Sequence, residues 1–453
     1  MIEWYDEPPP VSDESCGYSE HGISLCRIAR KACETGVRAA QPESVLKREL
    51  TIADNQLQLG NTIIDLDDFT RVAILAVGNA AGTIGSTLTT ILDDIVTEGI
   101  VITDNPREVP ELTVHVGTHP LPSHENMTAT ADLLDSAAEY GAETLVIVGI
   151  SGGGSALLTA PASEISLEEL RETTEALLRS GVPINALNTV RKHLSAVKGG
   201  QLAECLAPAR TVGLLFSDVA SDDPAVIASG PLTPDETTYQ DAIDVLARYE
   251  VSVSENVRSY LEAGASGTYT ETPSSDDQSF RYISQQVIAS NHTALTAAAE
   301  TCAEAGYEPL ILSSSIRGEA REVGTVLASI AEECRDHSHP LAPPAAILSG
   351  GETTVHVQGD GRGGPNQELA VSAGLELPEN AVLASVDTDG IDGATDAAGA
   401  IVSASSLSNR KKAVDALQKN DVYGLLKSIN ALVGGVATGT NVNDLRVLLI
   451  SDS

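Results

Sequence analysis

The chain has 453 residues, 42% of them hydrophobic, which is room for about two to three packed domains and too apolar for wholesale disorder. Aspartate and glutamate number 64 against 27 lysines and arginines, a formal net charge of -37. So negative a surface repels phosphate backbones and anionic lipid, which argues against nucleic-acid and membrane partners.

The acid is spread along the whole chain, and the chain holds only three Phe, two Met and one Trp. This is the composition expected of a halophilic protein, whose self-repulsion is screened by a salty cytoplasm. No apolar run reaches the roughly 18 residues of a membrane span, and the acidic start MIEWYDEPPP does not read as a secretory signal, so a cytoplasmic location is expected. The six cysteines (Cys16, Cys26, Cys33, Cys205, Cys302, Cys334) show no CxxC or zinc spacing and read as thiols.

In chain order, residues 1–19 read as a flexible acidic segment. A helix is predicted over 20–40, with Leu25, Ile28, Ala29, Ala32 and Cys33 on one face. Short β-branched runs at 72–78, 113–117, 144–150 and 211–219 read as strands, with helices at 127–141 and 166–181 between them. Ser166 with Glu169 forms a capping box, and Gly181 suits a C-cap. Such alternation predicts a parallel sheet with helices on both faces. Residues 263–284, rich in Gly, Ser, Thr and Asp, read as a linker. Strands follow at 287–290, 309–315, 345–351, 353–358, 381–386 and 446–450, with helices at 292–305, 317–335, from about 366, and at 407–419. The expectation is two α/β domains: a larger, doubly wound, Rossmann-like one over 20–262 and a smaller one over 285–453.

Ligands of open α/β sheets bind beyond the carboxyl ends of the strands, and the polar, Gly-rich clusters of this chain fall there. The turn Ser151-Gly152-Gly153-Gly154-Ser155 offers N–H groups to a phosphate, or is only a tight turn. It also fits the G-x-S-x-G nucleophile elbow, but the late His356 sits inside a predicted strand. Arg191, Lys192, His193 and Lys198 concentrate cations in a chain that avoids them, which points to an anionic ligand; the alternative is a solvated helix face. Asp218 and Asp222 at one strand end, and Asp387, Asp389 and Asp392 at another, suit Mg²⁺ or a base. Gly359, Gly361 and Gly364 formally satisfy G-x-G-x-x-G, with Asp387 downstream, as a dinucleotide enzyme would.

Seven strings in order, SGGGSALL (151–158), NTVRKHLSAVKGGQLA (188–203), SDVASDDPAVIASGP (217–231), GGETTVHV (350–357), GGPNQEL (363–369), DTDGIDGATDAAGA (387–400) and TGTNVNDL (438–445), resemble the glycerate 2-kinase family. Its members carry a C-terminal MOFRL domain, and some bear the name hydroxypyruvate reductase. The resemblance implies two α/β domains flanking a cleft, and Mg²⁺-assisted, ATP-dependent phosphorylation of D-glycerate to 2-phosphoglycerate. It leaves a homodimer open. Carried onto this sequence, it implies catalytic roles for Asp218, Lys198, Asn79 and Arg362. Substrate contacts fall to Arg191, Lys192, Asn188, Ser151, Ser155, Asn366 and Glu368. ATP contacts fall to Gly152, Gly153, Gly154, Gly350, Gly351, Glu352, Asp389 and Asn441, and metal contacts to Asp222 and Asp389.

Two departures stand out. Asn79 replaces the lysine of the family's G-K-A, and Pro365 replaces the arginine of its G-G-R-N-Q-E. Arg362, Lys198 and Arg191 are the candidate substitutes for the lost charge. Two other readings are a member that binds a nucleotide or sugar acid without turnover, and an NAD(P)-dependent hydroxypyruvate reductase.

Overall fold

The computed structural model describes residues 20–60 and 62–452. These form two compact units, Val45–Ile288, and Ala289–Ser453 joined by the N-terminal chain to Ser44.

The first unit opens with a small antiparallel meander, β1 (Leu50–Ala53), β2 (Gln56–Leu59) and β3 (Thr62–Asp65). Its main sheet holds β4 (Arg71–Val77), β5 (Glu98–Thr103), β6 (Thr113–Val116), β7 (Thr144–Ile150), β8 (Arg210–Phe216) and β9 (Ile283–Ala289). The order is β6-β5-β4-β7-β8-β9, and the pairs from β6 to β8 are parallel. Every residue of β7 is buried, as a central parallel strand covered on both faces requires. Alternate residues show the two coverings. Val146 and Val148 pack with Leu133 and Leu202 from the helices His124–Ala138 and Gln201–Leu206. Gly149 faces the other way, where a Cβ would meet Ile84 of the helix Ala81–Leu92. The capping box on the helix Leu167–Arg179 forms as expected, with Ser166 and Glu169 exchanging hydrogen bonds.

From β4 the chain runs outward through β5 and β6, then returns to the other side of β4 for β7 and β8. The carboxyl ends of β4 and β7 therefore flank the point where the winding reverses, the place where such sheets bind ligands.

The second unit contains β10 (Glu308–Glu319), β11 (Ala345–Thr354), β12 (Ala381–Asp387), β13 (Ala397–Ser403), β14 (Leu432–Gly434) and β15 (Asp444–Ile450), in the order β10-β11-β15-β12-β13-β14. Only β10 and β11 are parallel. The last strand of the chain slots between β11 and β12, which strand–helix alternation alone could not reveal.

Three expectations are corrected. The helix Glu20–Ala39, expected with the N-terminal domain, lays Leu25, Ala29, Ala32 and Cys33 against Leu295, Ala298 and Cys302 of the second unit. The residues 263–284 are not a free linker. The Thr272 hydroxyl donates to Asp235 (3.0 Å), Tyr269 stacks on Tyr260, and the segment runs into β9 at the edge of the first sheet. One strand, β11, replaces the two expected at 345–351 and 353–358, and His356 lies beyond its end. The acidic segment 1–19 lies outside the described residues. Among the described residues no helix is long and apolar enough to cross a membrane.

Candidate active site

In the first unit, three turns meet at the reversal point. The Asn79 N–H donates to the Gly152 carbonyl (2.8 Å), and the Ala80 N–H to the Ser151 hydroxyl (3.2 Å), which ties the end of β4 to the end of β7. The glycines of the second turn permit close approach. A Cβ on Gly152 would stand 2.6 Å from Asp218 Oδ2, and one on Gly153, where φ is 77°, would stand 1.7 Å from Asn79 Oδ1. Gly152 and Gly153 thus bring Asn79 and Asp218 onto one turn. Among the described residues no backbone acceptor engages the Gly152 and Gly153 N–H groups, so the turn keeps donors for an anion.

Two cations converge behind it. Lys198, 1% exposed, donates to the carbonyls of Ser155 (2.7 Å) and Leu158 (3.0 Å). Arg191 donates to the same Ser155 carbonyl (3.3 Å). Neither forms an ion pair with a carboxylate among the described residues, in a protein where acids outnumber bases by more than two to one. Burial, with Arg191 beside it, pushes the Lys198 pKa well below the ordinary lysine value, and burial draws Arg191 down to about 10. An arriving anion would relieve this mutual strain.

Ser155 also meets Ser229 (Oγ to Oγ 2.8 Å), and Ser229 donates to Asn188 Oδ1 (3.0 Å). Asn188 is 3% exposed and its Nδ2 has no partner. Such an orphan donor costs about 1–3 kcal/mol unless something fills it. Ser229 is held in an unusual backbone: Ala228, Ser229 and Gly230 all take positive φ (50°, 64° and 65°). Strain of this kind gathers at functional sites. Burial raises the Asp218 carboxyl, while its own N–H and nearby His119 draw it down. Ser229 lies in one of the strings noted in the sequence and His119 in none; nothing local marked either as a site residue, because their partners come from distant chain segments, Ser155 standing 74 positions from Ser229.

The structure thus brings together Asn79, Ser151, Gly152, Gly153, Gly154, Ser155, Asn188, Arg191, Lys198 and Asp218. Lys192 does not join them: it is buried in an ion pair with Asp235 (3.2 Å). His193 is likewise buried, with Nδ1 on the Thr189 carbonyl and its ring against Tyr239. Asp222 sits on the loop after β8 with φ 51°.

In the second unit several expected ligands prove to hold the fold. Asn366, 1% exposed, bridges Asp392 (3.3 Å) and Asp444 (2.7 Å) through Nδ2 and accepts from Ser385 (2.6 Å). Its hydrogen-bonding capacity is spent internally. Glu368 is buried between Arg321 (2.8 Å) and Asn420 (2.7 Å). Gly350 and Gly351 lie within β11, where a Cβ would strike Asn291 Oδ1 and the Ile316 carbonyl, so they serve sheet packing. Arg362 lies over the Tyr423 ring and faces Asp396 (3.5 Å). The glycines of the G-x-G-x-x-G match also have packing reasons: a Cβ on Gly359 would meet the Lys419 carbonyl at 2.1 Å, and one on Gly361 would meet Asp421. The helix Pro365–Gly374 does not offer its N-terminus to a phosphate, because Asp392 already accepts from the Asn366 (3.0 Å) and Gln367 (2.9 Å) N–H groups.

Asp387 and Asp444 pair across β12 and β15, and Arg446 is buried against Asp444. Burial and the neighbouring Asp389 and Asp444 raise Asp387 well above the usual carboxylate value; Asp392 rises to about 6, chiefly through burial. The Asp389 N–H donates to Asp387 Oδ1 (3.0 Å), and the Asn441 side-chain Oδ1 accepts from the Asn443 N–H (2.9 Å). Glu352 is exposed and lines a cavity of about 560 Å³ with Gly363 and Pro365. Asp222 and Asp389 fall in different units, and no group of three or more His, Cys, Asp or Glu among the described residues is placed to hold a metal.

Comparison with known proteins decides the family. Residues 28–262 match the model described as a domain of unknown function (DUF4147), and residues 345–444 match the MOFRL family. The D-glycerate 2-kinase of Thermotoga maritima is 37% identical over 94% of this chain and 99% of its own length. The chain belongs to the MOFRL-domain glycerate kinase family. The glycerate 2-kinase of Pyrococcus horikoshii is 35% identical over 95% of this chain and 98% of its own. A crystal structure of the Thermotoga maritima glycerate kinase superposes with a TM-score of 0.84 at 36% identity, covering 94% of this chain and 100% of that one. A relative from Agrobacterium vitis, provisionally named a hydroxypyruvate reductase, is 36% identical over 97% of this chain and 98% of its own. The fold of two α/β units is therefore that of the glycerate kinase family.

Proposed function

We propose that this protein is an ATP-dependent kinase that phosphorylates D-glycerate to 2-phosphoglycerate. Its family supports the reading, and one observation carries it: among the described residues Arg191 and Lys198 have no carboxylate partner, and they stand behind a turn whose N–H donors no described acceptor fills. That arrangement suits a phosphate or carboxylate.

The chain's own residues divide the work. Arg191 and the Gly152 and Gly153 N–H groups hold anionic oxygen atoms. Lys198 fixes the carbonyl end of the short helix Gly154–Leu157 and adds positive potential behind it. Asn188 offers its open Nδ2 to a substrate oxygen. Asp218, raised by burial, takes the proton of the attacking hydroxyl as its oxygen bonds to the γ-phosphorus and ADP leaves. A carboxylate at a strand end beside phosphate donors fits Mg²⁺, which commonly binds through one or two carboxylates plus substrate phosphates, and Asp218 would be its protein ligand or the base. When bound, the ion neutralises charge on the transferring group. We further place the protein in a salty cytoplasm, consistent with its charge and with Cys33, Cys302 and Cys334 as buried thiols.

The test is ADP release with D-glycerate in molar KCl, with the product identified by phosphorus NMR. Formation of 2-phosphoglycerate is expected. Absence of turnover removes the kinase reading, and calorimetric ATP binding without turnover favours a binding-only member. Oxidation of NADH on adding hydroxypyruvate would favour the reductase.

A further inference from the structure

Asn79 stands where the family resemblance leads one to expect a lysine, and none of the cations foreseen from the sequence lines the space beside it. A cavity of about 270 Å³ opens there, lined by Asn79, Thr83, Asn105, Pro106 and Arg107. Two contacts pin its walls together. The Thr103 hydroxyl, fully buried, donates to the Asn79 carbonyl (3.3 Å) and accepts from the Asn105 N–H (3.2 Å). The segment after β5 is thereby fastened to the turn after β4.

Arg107 crosses the start of the helix Ala81–Leu92 at Gly82. A Cβ there would come within 3.2 Å of Arg107 Cβ, so the glycine admits the arginine. The guanidinium makes one long hydrogen bond, to Thr83 Oγ1 (3.4 Å). It has no carboxylate partner among the described residues, although Asp104 and Glu108 flank it in sequence. Arg107 is exposed at the mouth of this cavity, and most of its donors are left open. The cavity borders Asn79, and Asn79 touches the Gly152-Gly153 turn.

We propose that Arg107 supplies the positive charge missing at position 79, binding a phosphoryl oxygen in the cavity it lines with Asn79, Thr83 and Asn105. The proposal rests on the kinase reading for its catalytic consequence but not for its binding consequence. Arg107 is a binding residue for an anionic phosphoryl group, and a fork of N–H donors suits that better than a point charge. The charge has moved from one wall of the site to the other.

The experiment compares wild type, Arg107→Ala and Arg107→Lys in molar KCl, by calorimetry with ATP and with inorganic triphosphate, and by steady-state kinetics. Arg107→Ala should weaken both ligands by about tenfold or more and lower kcat by about 10²-fold, with an unchanged melting temperature. Arg107→Lys should recover part of each. Asn79→Lys should restore activity to Arg107→Ala far more than it helps wild type, a dependence that a merely structural arginine would not show. Wild-type affinity in Arg107→Ala overturns the proposal, whether or not the protein turns over D-glycerate. A wild type that binds triphosphate through Arg107 but does not phosphorylate D-glycerate sinks the kinase reading alone. No binding of either ligand to wild type sinks both.

Discussion

At the scale of single residues, two neighbouring cations take opposite roles. Arg191 and Lys192 are adjacent on one helix, yet Arg191 reaches the Ser155 carbonyl while Lys192 is sealed against Asp235. Helical geometry turns neighbours by about 100°, so charge clusters in sequence need not be clusters in space. The acidic residues of the second unit give a pH test. Burial and the neighbouring Asp389 and Asp444 raise the native Asp387 pKa above the ordinary aspartate value, so between the two the folded state holds a proton that the unfolded chain has lost. Stability therefore falls as pH rises through that window, and the full cost is present once the native group has ionised. Asp387→Asn keeps the acceptor for the Asp389 N–H and removes the charge. It should raise the melting temperature at pH 8 by roughly 2–4 °C, about 1 kcal/mol, with the gain shrinking to nothing at acid pH. A gain that grows on acidification would contradict this account.

At the scale of elements, two glycine-dense turns that look alike serve different ends. The Ser151–Ser155 turn leaves N–H groups open and lets Asn79 and Asp218 approach. The 359–364 turn lets the backbone at Lys419 and Asp421 approach, and the helix after it is capped by Asp392. Substitution should separate them. Gly153→Ala would push Asn79 off the turn and should cut kcat by about tenfold or more, with a stability cost near ~1 kcal/mol for the positive φ. Gly359→Ala meets a backbone carbonyl that cannot swing away, so about 1–3 kcal/mol of stability should be lost with kcat retained in the folded fraction. Paired denaturation and kinetic measurements check both.

At the scale of the whole molecule, the net charge of -37 sets the conditions for everything else. Without salt, self-repulsion opposes the compact state; in molar salt the screening length falls to about 3 Å. Dialysis into dilute buffer should unfold the protein, seen as loss of helical circular dichroism, and KCl should restore it. Persistence of the folded, active state in dilute buffer would show that the acidity is not a halophilic adaptation.

The parallel first sheet, the ends of its central strands, the capping box at Ser166 and the turn at Ser151–Ser155 were legible in the sequence, because each follows from periodicity or from turn chemistry within about twenty residues. The family too was legible there, since its motifs keep their order. It took the folded chain to show that the helix Glu20–Ala39 joins the second unit, that β15 divides β11 from β12, and that Asn366 and Glu368 are occupied by buried partners. It alone placed Arg107 beside Asn79, 28 positions earlier. Hydrogen bonds and ion pairs form between whatever groups the fold brings within about 3 Å, and separation along the chain carries no information about that distance.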